Sequence, residues 1–465
     1  MSKQLLLSVF TGALLSACAT HSTALTPTQT LSLPSVSVPS EWHGNKVQGE
    51  SVSSHIGWLN GFNNTALDDL VLRALEDNPN LKQVEARLNK AKAQTNRAKS
   101  ALYPELNATL GGTRTDNFET SKNASASLNA GLNVSWEPDL WGRLKASSIA
   151  SENFAQAAKA DYEAAQHVLA ASVVENYFLA IEAQRLAEVS QSNLTALNKT
   201  LGFVTVQYER GLRSGQDISL IRADVASAKV SLNRSEGAAR AALRALNILL
   251  GAYPQTEQGL DKTLPVTPAF TALGKPVDIL TQRPDVQAAK FRVHAAYASH
   301  KVTKKAQKPN LSLNGVIGGN SSDLASLFDP ASLATTLIAN LTTPIFDAGS
   351  RKADIAIAQA DIDESLAAYK ETALTAFRDV ERQIDQGDIL LKQEVELTQA
   401  LSDARDALRF TQFKYESGDS DLLNVLSVQQ RVSFIEAQLV STRRARLVQY
   451  VNLALALGLD PKRET

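Results

Sequence analysis

The chain contains one cysteine, Cys18, and one methionine, Met1. A lone thiol builds neither an intrachain disulfide nor a cysteine-based zinc or iron–sulfur cage, so its chemistry is of another kind. Leu15-Ser16-Ala17 precede it, at the end of an apolar run that begins at Leu5 after Lys3. This order resembles a bacterial lipobox behind a signal peptide: residues 1–17 are expected to be removed and Cys18 to be acylated, palmitate included, as the first residue of the mature chain. The apolar run is too short to span ~30 Å of hydrocarbon as a helix. Several acyl chains, at ~0.8 kcal/mol per buried methylene, would anchor the chain durably in lipid. Ala19 rather than Asp follows the cysteine, which favours the outer membrane.

Other chemistries find no residues to carry them. The sequence has no phosphate-binding Gly-x-x-x-x-Gly-Lys-Ser/Thr loop, no Gly-x-Gly-x-x-Gly turn and no His-Glu-x-x-His pair. His294 and His300 are six apart, off the spacing that brings two ligands to one helical face. No enzyme, metal or cofactor is expected. With 47 basic and 48 acidic residues in 465, a net charge of −1 and interspersed signs, the chain has no basic face for nucleic acid.

The elements around these residues follow from composition and period. Residues 18–57, rich in Ser, Thr and Pro, read as a lipid-anchored extended tether, and the proline-punctuated segment 252–279 as a linker between two halves. Those halves, 58–251 and 280–465, are copies of one plan. Pro79 and Pro284 lie 205 apart, as do Arg87 and Arg292, and Pro104 and Pro309; Gly142/Gly349, Tyr208/Tyr415, Gly211/Gly418 and Gly251/Gly458 lie 207 apart. Residues 139–253 and 345–460 contain no proline, so each can form a long helix, a turn and a return helix. Apolar positions recur every seven residues (Val173, Ala180, Leu194, Leu201; then Ile218, Val225, Leu232, Leu246), the period of coiled-coil packing. The tips fall at 209–217 and 416–424.

Between the helices the period drops to two. Strands are expected at about 105–118, 124–136, 310–319 and 333–343, with Leu128, Leu132, Val134 and Trp136 alternating against Asn129, Gly131, Asn133 and Ser135. Strands of about 9–11 residues, apolar on one face and small or polar on the other, carry the pattern of an outer-membrane barrel. Tyr103, Trp136 and Phe346 stand near strand ends, where aromatic side chains form interfacial girdles. Four strands do not close a barrel. Two copies give eight strands and a filled interior, three give twelve with room for water, and Asn129, Asn133 and Asn340 favour the wetter arrangement.

Four segments then acquire a joint meaning: Ala101-Leu102-Tyr103-Pro104, Trp136-Glu137-Pro138-Asp139-Leu140-Trp141-Gly142-Arg143, Gln282-Arg283-Pro284-Asp285-Val286 and Pro344-Ile345-Phe346-Asp347-Ala348-Gly349. Over nearly all of the mature chain the sequence resembles the TolC-like outer-membrane efflux channel family, in its OprM/NodT-like lipoprotein branch that serves resistance-nodulation-division pumps. The resemblance implies an α+β membrane protein: a homotrimer whose twelve-stranded β-barrel continues into a periplasmic α-helical barrel. It implies a periplasmic adaptor (membrane fusion) protein and an inner-membrane transporter of the resistance-nodulation-division type as partners, and passive export of drugs or other small toxic solutes. It also implies a periplasmic gate at the hairpin tips: Tyr208, Asp217, Tyr415, Asp419, Asp421, Asn424 and Ser427, with Tyr415 matching the tyrosine that bonds the carboxylate at Asp217. Asn424 and Ser427 stand where ring aspartates often occur, leaving Asp419 and Asp421 either to supply that charge or to cap the next helix. A channel for type I protein secretion and a non-conducting periplasmic coiled-coil lipoprotein remain the alternatives.

Overall fold

The computed structural model describes residues 38–44, 57–115, 125–256, 259–268, 270, 273–327 and 329–461; Cys18 lies outside the described residues. A 3-10 helix at Trp58–Phe62 leads into α1 (Thr65–Asp77), α2 (Pro79–Ser100), β1 (Glu105–Thr115), β2 (Ser125–Trp136), α3 (Arg143–Glu209) and α4 (Gly215–Leu249). The second half repeats the order: a 3-10 turn at Pro276–Asp278, α5 (Ile279–Gln282), α6 (Pro284–Lys305), β3 (Asn310–Ser321), β4 (Leu333–Thr342), α7 (Ser350–Glu416) and α8 (Leu422–Ala456). Equivalent helices have equal lengths: 22 residues in α2 and α6, 67 in α3 and α7, 35 in α4 and α8. The fold is thus a duplicated strand-pair and long-helix unit, the four strands forming one antiparallel sheet in the order β1-β2-β3-β4. No helix among the described residues is long and apolar enough to cross a membrane.

At 1.5 Å per residue, 67 residues make a rod of about 100 Å. Each rod starts at a glycine in the left-handed region, Gly142 (φ 73°) and Gly349 (φ 90°). A nearby aspartate takes up the first amides: Asp139 accepts from the Leu144 and Lys145 N–H groups at 3.0 and 2.8 Å, and Asp347 from Gly349 and Arg351 at 3.1 and 3.4 Å. Negative charge at this end also complements the helix dipole. Along the rods the seven-residue positions are inside: Val173, Ala180, Leu194, Ile218, Val225 and Leu246 are all buried. α3 packs against α4, α6 and α8, while α7 packs against α8 and α6.

The return helices end in a device used twice. Gly251 (φ 68°) and Gly458 (φ 74°) turn the chain left-handed just past α4 and α8. A β-carbon on Gly251 would stand 2.5 Å from the Asp77 carbonyl, and one on Gly458 3.0 Å from Arg283, so each return helix closes directly onto the start of its own half. The residue before the opening proline makes the tie. Asn78 donates to the Leu249 carbonyl at 2.9 Å while its own oxygen accepts from the Asn80 and Leu81 amides. Arg283, held by Asp285 at 3.0 and 2.7 Å, donates to the Ala456 carbonyl at 3.1 Å. Both satisfy carbonyls that a helix end leaves without partners. Between α7 and α8, Glu394 receives Arg443 at 3.0 Å and also Arg446. Burial raises the Glu394 pKa, but the two arginines outweigh it and hold the carboxyl below its ordinary range.

The stretch expected as a plain extended tether differs where it is described. Trp42 is buried, donates from its indole nitrogen to the Gly274 carbonyl at 3.1 Å and lies 6.3 Å from the Phe377 ring. The next two amides, of His43 and Gly44, donate to the Glu381 carboxylate at 2.9 and 3.2 Å. A tryptophan gains too much by leaving water to remain in a free linker, and it carries its neighbours onto α7.

Asn78→Ala removes two capping bonds and one carbonyl tie at once, and is expected to destabilise the protein by about 1–2 kcal/mol, read as a lower thermal midpoint of the detergent-solubilised chain. Glu394→Gln is expected to cost stability near neutral pH and to flatten the acid limb, because a depressed carboxyl contributes above its unfolded pKa and loses that contribution as pH falls through the folded one.

Candidate functional site

The sheet sorts its leucines and asparagines onto opposite faces without mixing. Cross-strand partners share a face, and the register pairs Leu106 with Val134, Ala108 with Leu132, Leu132 with Ile317, Trp136 with Leu313, and Leu311 with Leu341. These large apolar side chains point outward: Leu110 and Leu337 are each 74% exposed. The opposite face pairs Asn107 with Asn133, Gly111 with Asn129, Asn129 with Asn320, Ser135 with Asn314, and Ser312 with Asn340. Its side chains bond one another, Asn133 to Thr109 at 2.9 Å and Ser127 to Asn320 at 2.8 Å. One surface is built for hydrocarbon and the other for water.

β1 and β4 are the sheet's edges, each paired on one side within the chain. The ends Glu105, Trp136, Asn310 and Thr342 lie together at the helical end of the sheet, since the strands alternate in direction. The sequence-derived aromatics gather there. Tyr103 and Phe346 are exposed, and Trp136 is partly exposed with its indole nitrogen donating to the Leu102 carbonyl at 3.2 Å. Trp141, which had no assigned role, joins them and ties the two halves by donating to the Pro309 carbonyl at 2.6 Å.

About 100 Å of helix away, the two hairpin tips are nearly superimposable in plan. Gly211 (φ 73°) and Gly418 (φ 88°) reverse the chain. Leu212 donates to the Gln207 carbonyl and Asp419 to the Lys414 carbonyl, at 2.9 and 2.8 Å, a helix stop that needs the left-handed residue in between. The tips pack on each other through Leu194, Leu197, Val204, Ile221, Val225, Leu422 and Tyr415. Above them α3 and α7 leave a groove of about 580 Å³ lined by Thr195, Lys199, Phe203, Tyr415 and Glu416.

The gate residues named from the sequence separate here into two groups. Tyr415 is buried at the junction of the hairpins, its ring centre 5.7 Å from that of Phe203 in an edge-to-face contact, whereas Tyr208 is exposed. The bond expected between Tyr415 and Asp217 is not made within the chain. Asp217 instead accepts from the Ser214 amide and hydroxyl, both at 3.1 Å, closing a capping box on α4, and the Tyr415 hydroxyl has no hydrogen-bond partner among the described residues. A carboxylate three residues past a serine N-cap meets two local donors before any distant phenol. Asp421 likewise caps α8, accepting from the Asn424 amide at 2.8 Å. Asn424 reaches Ser420 at 3.4 Å, Ser427 donates to the Asn424 carbonyl at 2.9 Å, and Asp419 is exposed on the turn.

What holds Tyr415 is a residue the sequence did not single out. The Arg213 guanidinium lies over the Tyr415 ring, 4.4 Å from its centre, and donates to the Tyr415 carbonyl at 3.5 Å. The pair joins the first tip to the second across 202 residues of chain, so no local spacing announces it. Burial pushes the Tyr415 phenol above its ordinary range, with Arg213 pulling it down and Asp217 pushing it up by charge.

One family model, described as outer membrane efflux protein, matches residues 70–252 and 276–459. The chain is 27% identical over 404 residues to the probable outer membrane lipoprotein SilC of Salmonella typhimurium, covering 86% of this chain and 87% of that one. It is 29% identical over 434 residues to the pyoverdine export outer membrane protein OpmQ of Pseudomonas aeruginosa, covering 91% of each. Among solved structures, the open state of the Neisseria gonorrhoeae MtrE outer membrane channel superposes with a TM-score of 0.81 at 25% identity, over 93% of this chain and 98% of that one.

Because its hydroxyl bonds nothing among the described residues, Tyr415→Phe is expected to change stability by no more than about 0.5 kcal/mol, whereas Arg213→Ala costs about 1–2 kcal/mol through the lost cation–π contact. Thermal unfolding of both variants checks the order. In an alkaline absorbance titration, the tyrosinate signal that Tyr415→Phe removes is expected above the ordinary phenol range.

Proposed function

We propose a function from one premise: the chain belongs to the outer membrane efflux protein family, whose model matches both of its halves. It is an outer-membrane exit duct for efflux, through which small toxic solutes leave passively while an inner-membrane pump supplies the energy. The observation that carries this reading is the two-faced sheet, every strand Leu and Trp136 on one side and every strand Asn on the other, held in one register over four strands. A non-conducting spacer has no use for such a wall.

Assembly follows from the sheet's edges. β4 of one copy meets β1 of the next, antiparallel like the pairs within the chain, so the contact is head-to-tail and closes as a ring. Three copies give twelve strands with the carboxamide face around water, which supports a homotrimer. The helical hairpins continue below the membrane toward a periplasmic adaptor and a transporter of the resistance-nodulation-division type. Acyl chains on Cys18 add a second hold on outer-membrane lipid, in keeping with the lipoprotein description of SilC. The relatives are channels rather than enzymes, and we read no catalytic step into this chain.

Purified protein in a planar bilayer is expected to conduct in discrete steps, and a strain lacking the gene to become sensitive to some members of a panel of toxic compounds. A silent bilayer would leave only the spacer. Within the wall, Leu337→Arg places charge on the lipid face at a cost of about 2–4 kcal/mol near the midplane and is expected to deplete membrane-inserted protein, while Thr109→Arg on the opposite face inserts normally. Cys18→Ser is expected to abolish incorporation of labelled palmitate; retained label would remove the lipidation assignment.

A further inference from the structure

The four strands carry very little charge. Among their described residues only Glu105 and Arg114 are formally charged, and the register sends them to opposite faces: Glu105 pairs with Ser135 on the polar side, Arg114 with Ala126 on the apolar side. The rest of the polar face is neutral. Asn107, Asn129, Asn133, Asn314, Asn320 and Asn340 supply carboxamides, and Ser, Thr and Gly fill most positions between them. Carboxamides and hydroxyls hold water but attract neither sign of ion over the other.

Glu105 opens β1 at the helical end of the sheet, and it is exposed, with one carboxylate oxygen accepting from the Asn107 amide at 3.2 Å. β1 is an edge strand, so this carboxylate stands beside the seam with the neighbouring copy. Resting on the trimeric duct argued above, ring closure repeats it around the inner rim where the helical trunk meets the barrel. We propose that Glu105 sets the charge preference of the membrane section, favouring cationic over anionic solutes as they pass from trunk to barrel. A low-dielectric wall focuses the field of such a ring into the water it encloses, and no other charge described on that face opposes it. Salt limits its reach: the Debye length is ~10 Å in 0.1 M salt and ~30 Å in 0.01 M, so the preference belongs to dilute solution.

The test uses the full-length chain in planar bilayers under a KCl gradient, reading the K⁺/Cl⁻ permeability ratio from the reversal potential. Glu105→Gln is expected to lower the ratio on the order of twofold near 0.01 M and hardly at all near 1 M, and Glu105→Lys to move it further the same way. Asn133→Asp, on the same face, is expected to raise it, and Arg114→Gln, on the other face, to leave it unchanged. A ratio that Glu105→Lys does not move while Asn133→Asp does would overturn the assignment to Glu105, as would an equal response to Arg114→Gln. A native chain that conducts with these outcomes leaves the duct reading standing; one that does not conduct removes the duct and the selectivity together.

Discussion

Inside a bilayer no water is present to bond a bare backbone amide or carbonyl, and each one left alone costs several kcal/mol. Everything else in this molecule answers to that constraint. Four antiparallel strands satisfy one another except along the outer sides of β1 and β4, and the chain holds no further strand pair among its described residues to cover them. Identical neighbours are the economical cover, because an up-and-down sheet with an even strand count presents an antiparallel edge to its own copy. The side chains obey the same geometry. Antiparallel partners share a face, so the leucines must sit at even positions in β1 and β2 and at odd positions in β3 and β4; the 205-residue offset between the halves, an odd number, produces this switch, as in Leu106 and Leu311. A slip of one residue would put leucines in the water and asparagines in the lipid.

The same duplication fixes the trunk. Because α3 and α7 have equal length, and α4 and α8 likewise, both hairpins start at the sheet and turn back at one depth. Their tips therefore meet and can share a core, with Tyr415 of the second hairpin between Phe203 and Arg213 of the first. The far ends are tied with matching geometry but different chemistry, a neutral amide at Asn78 and a guanidinium at Arg283, each holding the last carbonyls of its own return helix. Each half is thus a closed circuit of helix, strands, rod and return. The contacts that hold α3 against α8 join two such circuits into one wall.

Much of this architecture was legible because it rests on periods. Seven-residue spacing named the buried positions of the rods, and alternation around Leu128 to Trp136 named the two faces of the sheet, since both patterns are local and repeated many times. The tip chemistry was not legible for the opposite reason. Asp217 and Asp421 are taken by amides within three residues of themselves, and a carboxylate spent on its own helix looks the same in sequence as one aimed at a distant phenol. Arg213 reaches Tyr415 across the whole repeat, a contact that only the packing of two hairpins creates. Trp42 was hidden by its setting: a Ser-, Thr- and Pro-rich stretch reads as linker, while one large indole with a carbonyl to bond decides where it lies.

A passive duct works only if it holds its cargo weakly, since a wall that binds well releases slowly. The polar face meets this condition through its residue types. Asparagine and serine side chains bond each other across the strands, as Asn133 does to Thr109 and Ser127 to Asn320, and so offer solutes a hydrated surface already largely satisfied. Among the described strand residues the one large aromatic ring, Trp136, stands at the helical end of the sheet, with Tyr103 and Phe346 just beyond it. The chain's single methionine and single cysteine stand at positions 1 and 18, so the wall carries no sulfur ligand to detain a soft metal ion. A surface that retains so little cannot recognise much either; recognition then has to occur before the solute enters the trunk, where a pump can couple it to energy.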